Sequence, residues 1–362
     1  EKLRKEAAVN LSESGIKVHI AKDSEEARKL LKEIIGDDKP IIKSKSNVAN
    51  EIGVKNILKD VIETDIGDYI VELCESESGH PVLPAMTLTP EEIAAVIKKK
   101  LGQEVAAKPE SIVNFVRKHL RQMITNAKVG ISGANAITAD GSIMILENEG
   151  NISLVSRIPE KHIVLAGIDK IVRTREDALI VAQAAAAYGT GQEFPVYISF
   201  ITGPSKTADI QNKTITGAQG AKEVHLILVD NGRSQMLSTE FEDLLRCINC
   251  GACLNFCPIF HQITNRYGSK YAGARGVLFA AYSEDFQKAY DSGAYYCTMC
   301  RNCSDNCPAE IDLAAMMKKL REKLVEQGIE PKQAKEMIEN VQKHGNPFGK
   351  LDGKKPEKMY CC

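Results

Sequence analysis

Cys247-Ile248-Asn249-Cys250-Gly251-Ala252-Cys253-Leu254-Asn255-Phe256-Cys257-Pro258 follows the pattern Cys-x2-Cys-x2-Cys-x3-Cys-Pro. After 39 intervening residues Cys297, Cys300, Cys303, Cys307 and Pro308 repeat it. The iron atoms of a [4Fe–4S] cube take one thiolate per corner, and the tight spacing lets three consecutive thiolates wrap one cube while the fourth is carried off by the next turn. In two-cluster ferredoxins that fourth cysteine serves the other cube. Cys247, Cys250, Cys253 and Cys307 are therefore assigned to one cluster, and Cys297, Cys300, Cys303 and Cys257 to the other. The prolines end each motif and turn the chain away. Zinc, the rival for paired Cys-x2-Cys knuckles, does not require four cysteines and a proline twice over. The long spacer holds helix-like stretches such as Val277 to Tyr290, so an all-α two-cluster ferredoxin module is expected, acting as an electron wire.

Eight of the 11 cysteines lie in these two motifs, in a chain of 362 residues. Clustering in a long chain with no signal peptide points to metal rather than disulfides, and to a reducing, cytoplasmic location. The composition, 43% hydrophobic and 26% charged, is that of a globular protein. A formal charge of −1 provides no field for nucleic acid or membranes. No apolar run reaches the roughly 18 residues of a spanning helix. The length suits two domains and a tail.

Upstream of the motifs, helix-period and strand-like segments alternate. Ala27, Leu30, Leu31, Ile34 and Ile35 share one face of a helix entered at Asp23-Ser24. Thr89-Pro90-Glu91-Glu92 reads as a capping box with proline in the first turn, and Ile112, Phe115, Val116, Leu120 and Met123 mark a third helix. Between them come Lys17 to Ile20, Ile41-Ile42, Ile143 to Leu146, Ile163 to Ala166, Val196 to Ile201 and Val224 to Val229. This predicts an α/β domain over 1–235 with a largely parallel sheet, its ligands at the carboxyl ends of the strands. The turn Asp230-Asn231-Gly232 closes it. The helical ferredoxin domain follows over 236–320. A helix with Ala334, Met337, Ile338 and Val341 on one face, then an extended tail, fills 321–362. Residues 318–358 carry 11 basic and 7 acidic side chains, and are read as a solvated surface with docking as the alternative.

Several segments together resemble the lactate utilisation protein B-like proteins, the iron–sulfur branch of the LUD-domain family. They are Lys43-Ser44-Lys45-Ser46, Glu63-Thr64-Asp65-Ile66-Gly67, Ser132-Gly133-Ala134-Asn135 and Asn148-Glu149-Gly150-Asn151, then Ser199-Phe200-Ile201-Thr202-Gly203-Pro204, Asp230-Asn231-Gly232-Arg233-Ser234 and Leu245-Arg246-Cys247. The ordered set runs across roughly residues 5–315. The resemblance implies a NagB/RpiA/CoA-transferase-like LUD domain joined to a helical two-cluster ferredoxin. It also implies an electron-transfer subunit of a multi-subunit oxidoreductase that converts L-lactate, or a related 2-hydroxy acid, to the keto acid. Gly79-His80 and Pro84-Ala85-Met86-Thr87 stand where the family pattern has Ser-His and Pro-Ala-x-His. Lys343-His344-Gly345-Asn346-Pro347-Phe348-Gly349 resembles the linker that precedes a cysteine-rich CCG domain in heterodisulfide-reductase-like subunits.

With the resemblance, a ligand pocket is expected from Lys43, Lys45, Ser46, Glu63, Gly133, Asn135, Glu149 and Asn151. Lys43, Lys45 and Ser46 follow a predicted strand end and suit an anion at a helix start; a solvated loop is the alternative. Glu63 and Asp65 offer paired carboxylates. Gly130 to Asn135 is read as a small-residue loop without a dinucleotide fingerprint. Glu149 is placed in a turn of Asn and Gly, loosely similar to the glutamate loop of CoA transferases. His80 is taken as structural, Cys74 as a small buried hydrophobe, and Cys361 and Cys362 as a frayed end or ligands for a partner's cluster. No flavin, nicotinamide or P-loop signature is present, so hydride chemistry is expected on a partner: a CCG-domain iron–sulfur protein, a second LUD protein or a flavoprotein. The alternatives are a relay in a heterodisulfide-reductase-like complex, a LUD domain that itself turns over a small carboxylate or thioester, and a LUD domain that only docks partners.

Overall fold

Short apolar runs separated by amphipathic helices build a parallel sheet first. The protein is described here from a computed structural model covering residues 1–76 and 84–351. His80, Cys361 and Cys362 lie outside the described residues. Among the described residues twelve strands precede the cysteine motifs: β1 (Lys17–Ala21), β2 (Ile41–Lys43), β3 (Val61–Glu63), β4 (Val129–Gly133), β5 (Ala136–Thr138), β6 (Ser142–Glu147), β7 (Lys161–Gly167), β8 (Ile171–Val172), β9 (Tyr197–Ile201), β10 (Lys206–Thr207), β11 (Ile215–Thr216) and β12 (Glu223–Val229). Six of them pair in the order β1-β12-β7-β4-β2-β3, every pairing parallel.

Strands β7 and β12 are buried from their second residue to their last, as the unbroken apolar runs of a sheet covered on both faces require. Ile163, Leu165, Ile227 and Val229 pack on one face with Ala27, Leu31 and Ile35. Val164, Ala166, Leu226 and Leu228 pack on the other with Ala7 and Leu11. The local signals hold: Asp23 caps the helix Ser24–Ile35 by accepting from the Glu26 amide, and Thr89 and Glu92 form both halves of the capping box on Pro90–Leu101. Strand β2 lies between β3 and β4, so the winding reverses around it and opens a crevice at the carboxyl ends of β2 and β4.

One expectation is corrected. Gly130 to Gly133 is not a loop but most of β4, hydrogen-bonded between β2 and β7. Its residues are small because a neighbour is close: a Cβ on Gly130 would meet the Val155 carbonyl oxygen at 2.0 Å. A second, mixed sheet, β8-β5-β6-β9, packs on the alanine face of the helix Arg175–Thr190 through Ala136, Met144, Ala178 and Ala182.

No strand follows β12 among the described residues. The predicted helical stretch from Val277 to Tyr290 is two helices, Gly273–Ser283 and Phe286–Asp291, the second capped by Asp285. The first is buried over nine of its residues and forms the axis of the cysteine module with Phe241, Tyr267, Met317 and Leu320. The helix Lys332–His344 has no buried residue and leaves Ile338 and Val341 exposed. No helix among the described residues is long and apolar enough to cross a membrane.

Candidate metal centre and adjoining pocket

Both motifs fold by the same backbone device. Asn249 and Met299, then Gly251 and Arg301, take left-handed φ at equivalent positions (60° and 58°, 84° and 67°). Such values are costly for Met and Arg and mark a shape that tertiary structure enforces. The short helices Ala252–Asn255 and Asn302–Asp305 carry the third cysteines. Pro258 occupies the first turn of Pro258–Ile263, with Cys257 as its cap.

The outcome is two cavities, each ringed by four cysteines. Cys247, Cys250, Cys253 and Cys307 line one, with Arg275 and Leu313. Cys257, Cys297, Cys300 and Cys303 line the other, with Tyr267 and Arg301. Each cavity takes three thiols from one motif and the fourth from the other. Among the described residues no three His, Cys, Asp or Glu side chains lie close enough to hold a single ion. Four thiols spread around a cavity fit a cube with one corner per thiol and not a lone tetrahedral zinc. Burial pushes the Cys253 thiol far up and Cys303 up to about 11, with neighbouring cysteines adding to the shift. At neutral pH these groups are protonated until a metal displaces the proton. A cation braces the backbone at the start of each motif: Lys170 Nζ donates to the Cys247 carbonyl at 2.7 Å, and Arg321 Nη2 to the Cys297 carbonyl at 2.6 Å.

Lys170 belongs to the α/β domain, just beyond β7, and is part of a buried ionic joint between the two regions. Arg233 is 1% exposed. It donates to Glu51 from both terminal nitrogens (2.9 and 2.8 Å), to Asp169 from Nε (2.5 Å) and to the Tyr271 hydroxyl (3.2 Å). Tyr271 donates to Glu51 in turn, and Lys170 pairs with Asp169. Burial opposes the charge on Asp169, but Lys170 and then Arg233 hold its carboxyl well below the usual range.

A pocket opens at the carboxyl end of β4, where the winding reverses. Of the predicted ligand residues it gathers Lys45, Ser46, Gly133, Asn135, Glu149 and Asn151, together with Asp65. Lys43 and Glu63 are not in the lining. They face each other across the β2–β3 register as an ion pair, each 1% exposed. Several pocket groups hold the loops: Ser46 caps Asn47–Glu51, Asn135 Oδ1 accepts from the Leu146 amide at 3.0 Å, and Lys45 pairs with Asp68 at 3.3 Å. Sequence reasoning missed Lys170, Gly189, Thr190 and Asn249, which also line the pocket. Lys170 was findable, because it follows the Ile163 to Ala166 run at a strand's carboxyl end. The far wall is the first cysteine motif itself, through Ile248, Asn249 and Cys250. Gly189 permits that approach, since a Cβ there would lie 2.8 Å from the Cys250 carbonyl oxygen.

Glu149 is exposed as a residue, yet its carboxyl turns into the pocket mouth, where burial and then Asp65 push it up to about 7. The folded state thus holds this proton more tightly than the unfolded chain. The resulting cost to stability is absent below about pH 4.5 and complete above about 7. Glu149→Gln is expected to raise stability at pH 8 by about 1 kcal/mol or less, given its exposure, and to change nothing at pH 4. Urea denaturation at both pH values checks this; equal gains at the two would rule it out. Cys74 is partly rather than fully buried, and its thiol is raised by desolvation.

Fold and site together define an iron–sulfur protein: an α/β domain whose pocket abuts a helical module with two four-cysteine cavities. The profile of the LUD domain matches residues 4–229, and that of the 4Fe-4S dicluster domain residues 243–311. The chain belongs to the LUD-domain family. It is 35% identical to Lactate utilization protein B of Shouchella clausii over 327 residues and 34% identical to that of Bacillus subtilis over 328, covering 88% of this chain and 67% of each relative. It is 33% identical over 330 residues to an uncharacterized electron transport protein, YkgF, of Escherichia coli, covering 89% of this chain and 68% of that one. The chain thus spans about two thirds of the length of these relatives. A DUF162 family protein of known structure from Deinococcus radiodurans aligns at a TM-score of 0.35 and 14% identity, over 63% of this chain and 96% of that one, a likeness too slight to carry an argument.

Proposed function

We propose that this chain is the iron–sulfur electron-transfer subunit of a multi-subunit system that oxidises L-lactate or a related 2-hydroxy acid. Two [4Fe–4S] clusters are held by Cys247, Cys250, Cys253 and Cys307, and by Cys297, Cys300, Cys303 and Cys257. The observation that carries this reading is the serial arrangement of the two cavities. One shares Cys250 with the α/β pocket, and the other includes the exposed Cys300 and Cys297, which follows the exposed Tyr296. When bound, the clusters supply one-electron storage. The chain's own residues hold the thiols in two crossed sets, brace them with Lys170 and Arg321, and bury Cys303. The curated relatives named for lactate utilisation support the substrate class. Hydride chemistry falls to a partner, either a flavoprotein, a CCG-domain protein or a second LUD protein.

Anaerobic purification should give about eight irons per chain, from two cubes of four. Cys307→Ala and Cys257→Ala should each lose about half the iron and leave different EPR signals, because each cysteine serves the cavity opposite its own motif. Zinc in place of iron, or identical residual signals in the two variants, would overturn the assignment.

A second reading draws on the pocket alone: Lys45, Asp65, Glu149 and Lys170 around a cavity that ends at Cys250 suit a small carboxylate or thioester bound within reach of the first cluster.

A further inference from the structure

The two cysteine cavities differ in one respect that bears on how they share an electron. Arg275, on the buried helix Gly273–Ser283, lines the cavity of Cys247, Cys250, Cys253 and Cys307. It is 6% exposed, and its Nε and Nη1 find no hydrogen-bond partner. Its guanidinium stacks on Tyr271, 3.7 Å from the ring centroid, and lies 5.4 Å from that of Phe279. These rings take its face and leave its edge, where the N–H groups are, without an acceptor. A buried cation with idle donors is costly unless negative charge meets it. Asp169, a carboxylate whose charge reaches it, is already shared by Lys170 and Arg233.

The other cavity has no buried, unpaired cation in its lining. Its one lining cation, Arg301, is about half exposed and already paired with Asp312 at 3.1 Å, so solvent and a carboxylate absorb its charge. Its buried polar neighbour is Tyr267, whose unpartnered hydroxyl can offer one O–H but no positive charge.

We propose that Arg275 is a positioning residue that sets the polarity of the pair: its unpaired N–H groups face the cluster of Cys247, Cys250, Cys253 and Cys307 and raise its reduction potential above that of its neighbour. This rests on the two-cluster reading above. Four thiolates on a cube carry net negative charge, and one unit more after one-electron reduction. A fixed cation in a low-dielectric site therefore stabilises the reduced form more than the oxidised one. Electrons entering the loaded module would then settle on the side beside the α/β pocket, and would leave through the exposed side only when a partner drew them uphill.

The test is an EPR-monitored redox titration of the full, iron-loaded chain, with the Cys307→Ala variant identifying which of the two midpoints belongs to the Arg275 side. In the unmodified chain that midpoint should be the higher of the two; the reverse order would overturn the proposal without any Arg275 variant having to fold. Arg275→Gln should lower that midpoint alone, so that at fixed ambient potential its reduced-to-oxidised ratio falls at least tenfold, or about 59 mV for one electron. Arg275→Lys should lower it by less. With full iron content, a midpoint unmoved in Arg275→Gln, or movement of the other one instead, would overturn the role of Arg275. Wild-type iron well below about eight per chain would instead remove the two-cluster reading.

Discussion

Replacing Arg233 with methionine is expected to destabilise the protein by about 3–5 kcal/mol. The volume is roughly kept, so the loss is not a cavity effect. What remains is Glu51, fully buried at its carboxylate, and Asp169, buried alongside it, with Lys170 still paired to Asp169 and Glu51 left without its cation. A buried pair adds little over a well-packed apolar one, but breaking it by removing one partner strands a charge in low dielectric. Guanidinium denaturation should show the shift as a lower midpoint with an unchanged slope. Glu51→Gln together with Arg233→Met should recover part of the loss, since one stranded charge is gone. A loss below about 1 kcal/mol in Arg233→Met would mean that water reaches the joint and screens it.

The second large effect is acid lability in the mildly acidic range. His162 is fully buried, its Nε2 2.8 Å from Ser132 Oγ and its Nδ1 without a partner, and burial lowers its pKa to about 3. His225 is pulled down to about 4, by burial first, while Glu223 works the other way. Its ring stacks on His19, with the two imidazoles sharing one hydrogen bond of 3.2 Å. Both histidines therefore take up a proton more readily in the unfolded chain than in the folded one. Their stability is whole above the unfolded value near 6.5 and drains away as pH falls through 6.5 toward the folded values. Between pH 7 and 5 each should cost up to about 2 kcal/mol, and the pair about 2–4 kcal/mol together. Free energies of unfolding at pH 7, 6 and 5 measure this, with His162→Gln expected to flatten the curve. A curve already flat between 7 and 5 would show that neither ring stays neutral.

What the sequence disclosed was local chemistry. The two cysteine runs announce a 4Fe-4S dicluster domain because four thiols at fixed spacing have few other uses, and helix starts at Asp23 and Thr89 are written in adjacent residues. The apolar runs of β7 and β12 are legible because a doubly covered strand has no polar side. Partnerships across the fold were hidden. Lys43 and Glu63 look like ligand-binding residues until strand register sets them side by side. Glu51, Asp169, Arg233 and Tyr271 are separated by up to 220 residues, with no local pattern to link them. Strand β4 read as a loop because the small residues that let Val155 approach are also the residues of loops. The pocket was partly foreseen from strand ends, but its cysteine-bearing wall comes from the other region.

The crossed thiol sets have a consequence for assembly. With Cys257 drawn to the second cavity and Cys307 to the first, the two proposed clusters would pin the 39 residues between the motifs at both ends, like a loop closed by a clasp. Closing a loop of that length costs chain entropy only once, so the first cluster inserted brings the ligands of the second into place. On that proposal iron delivery becomes a folding step with a built-in order of cooperation, and a chelator is expected to act on this chain as a denaturant of its helical half.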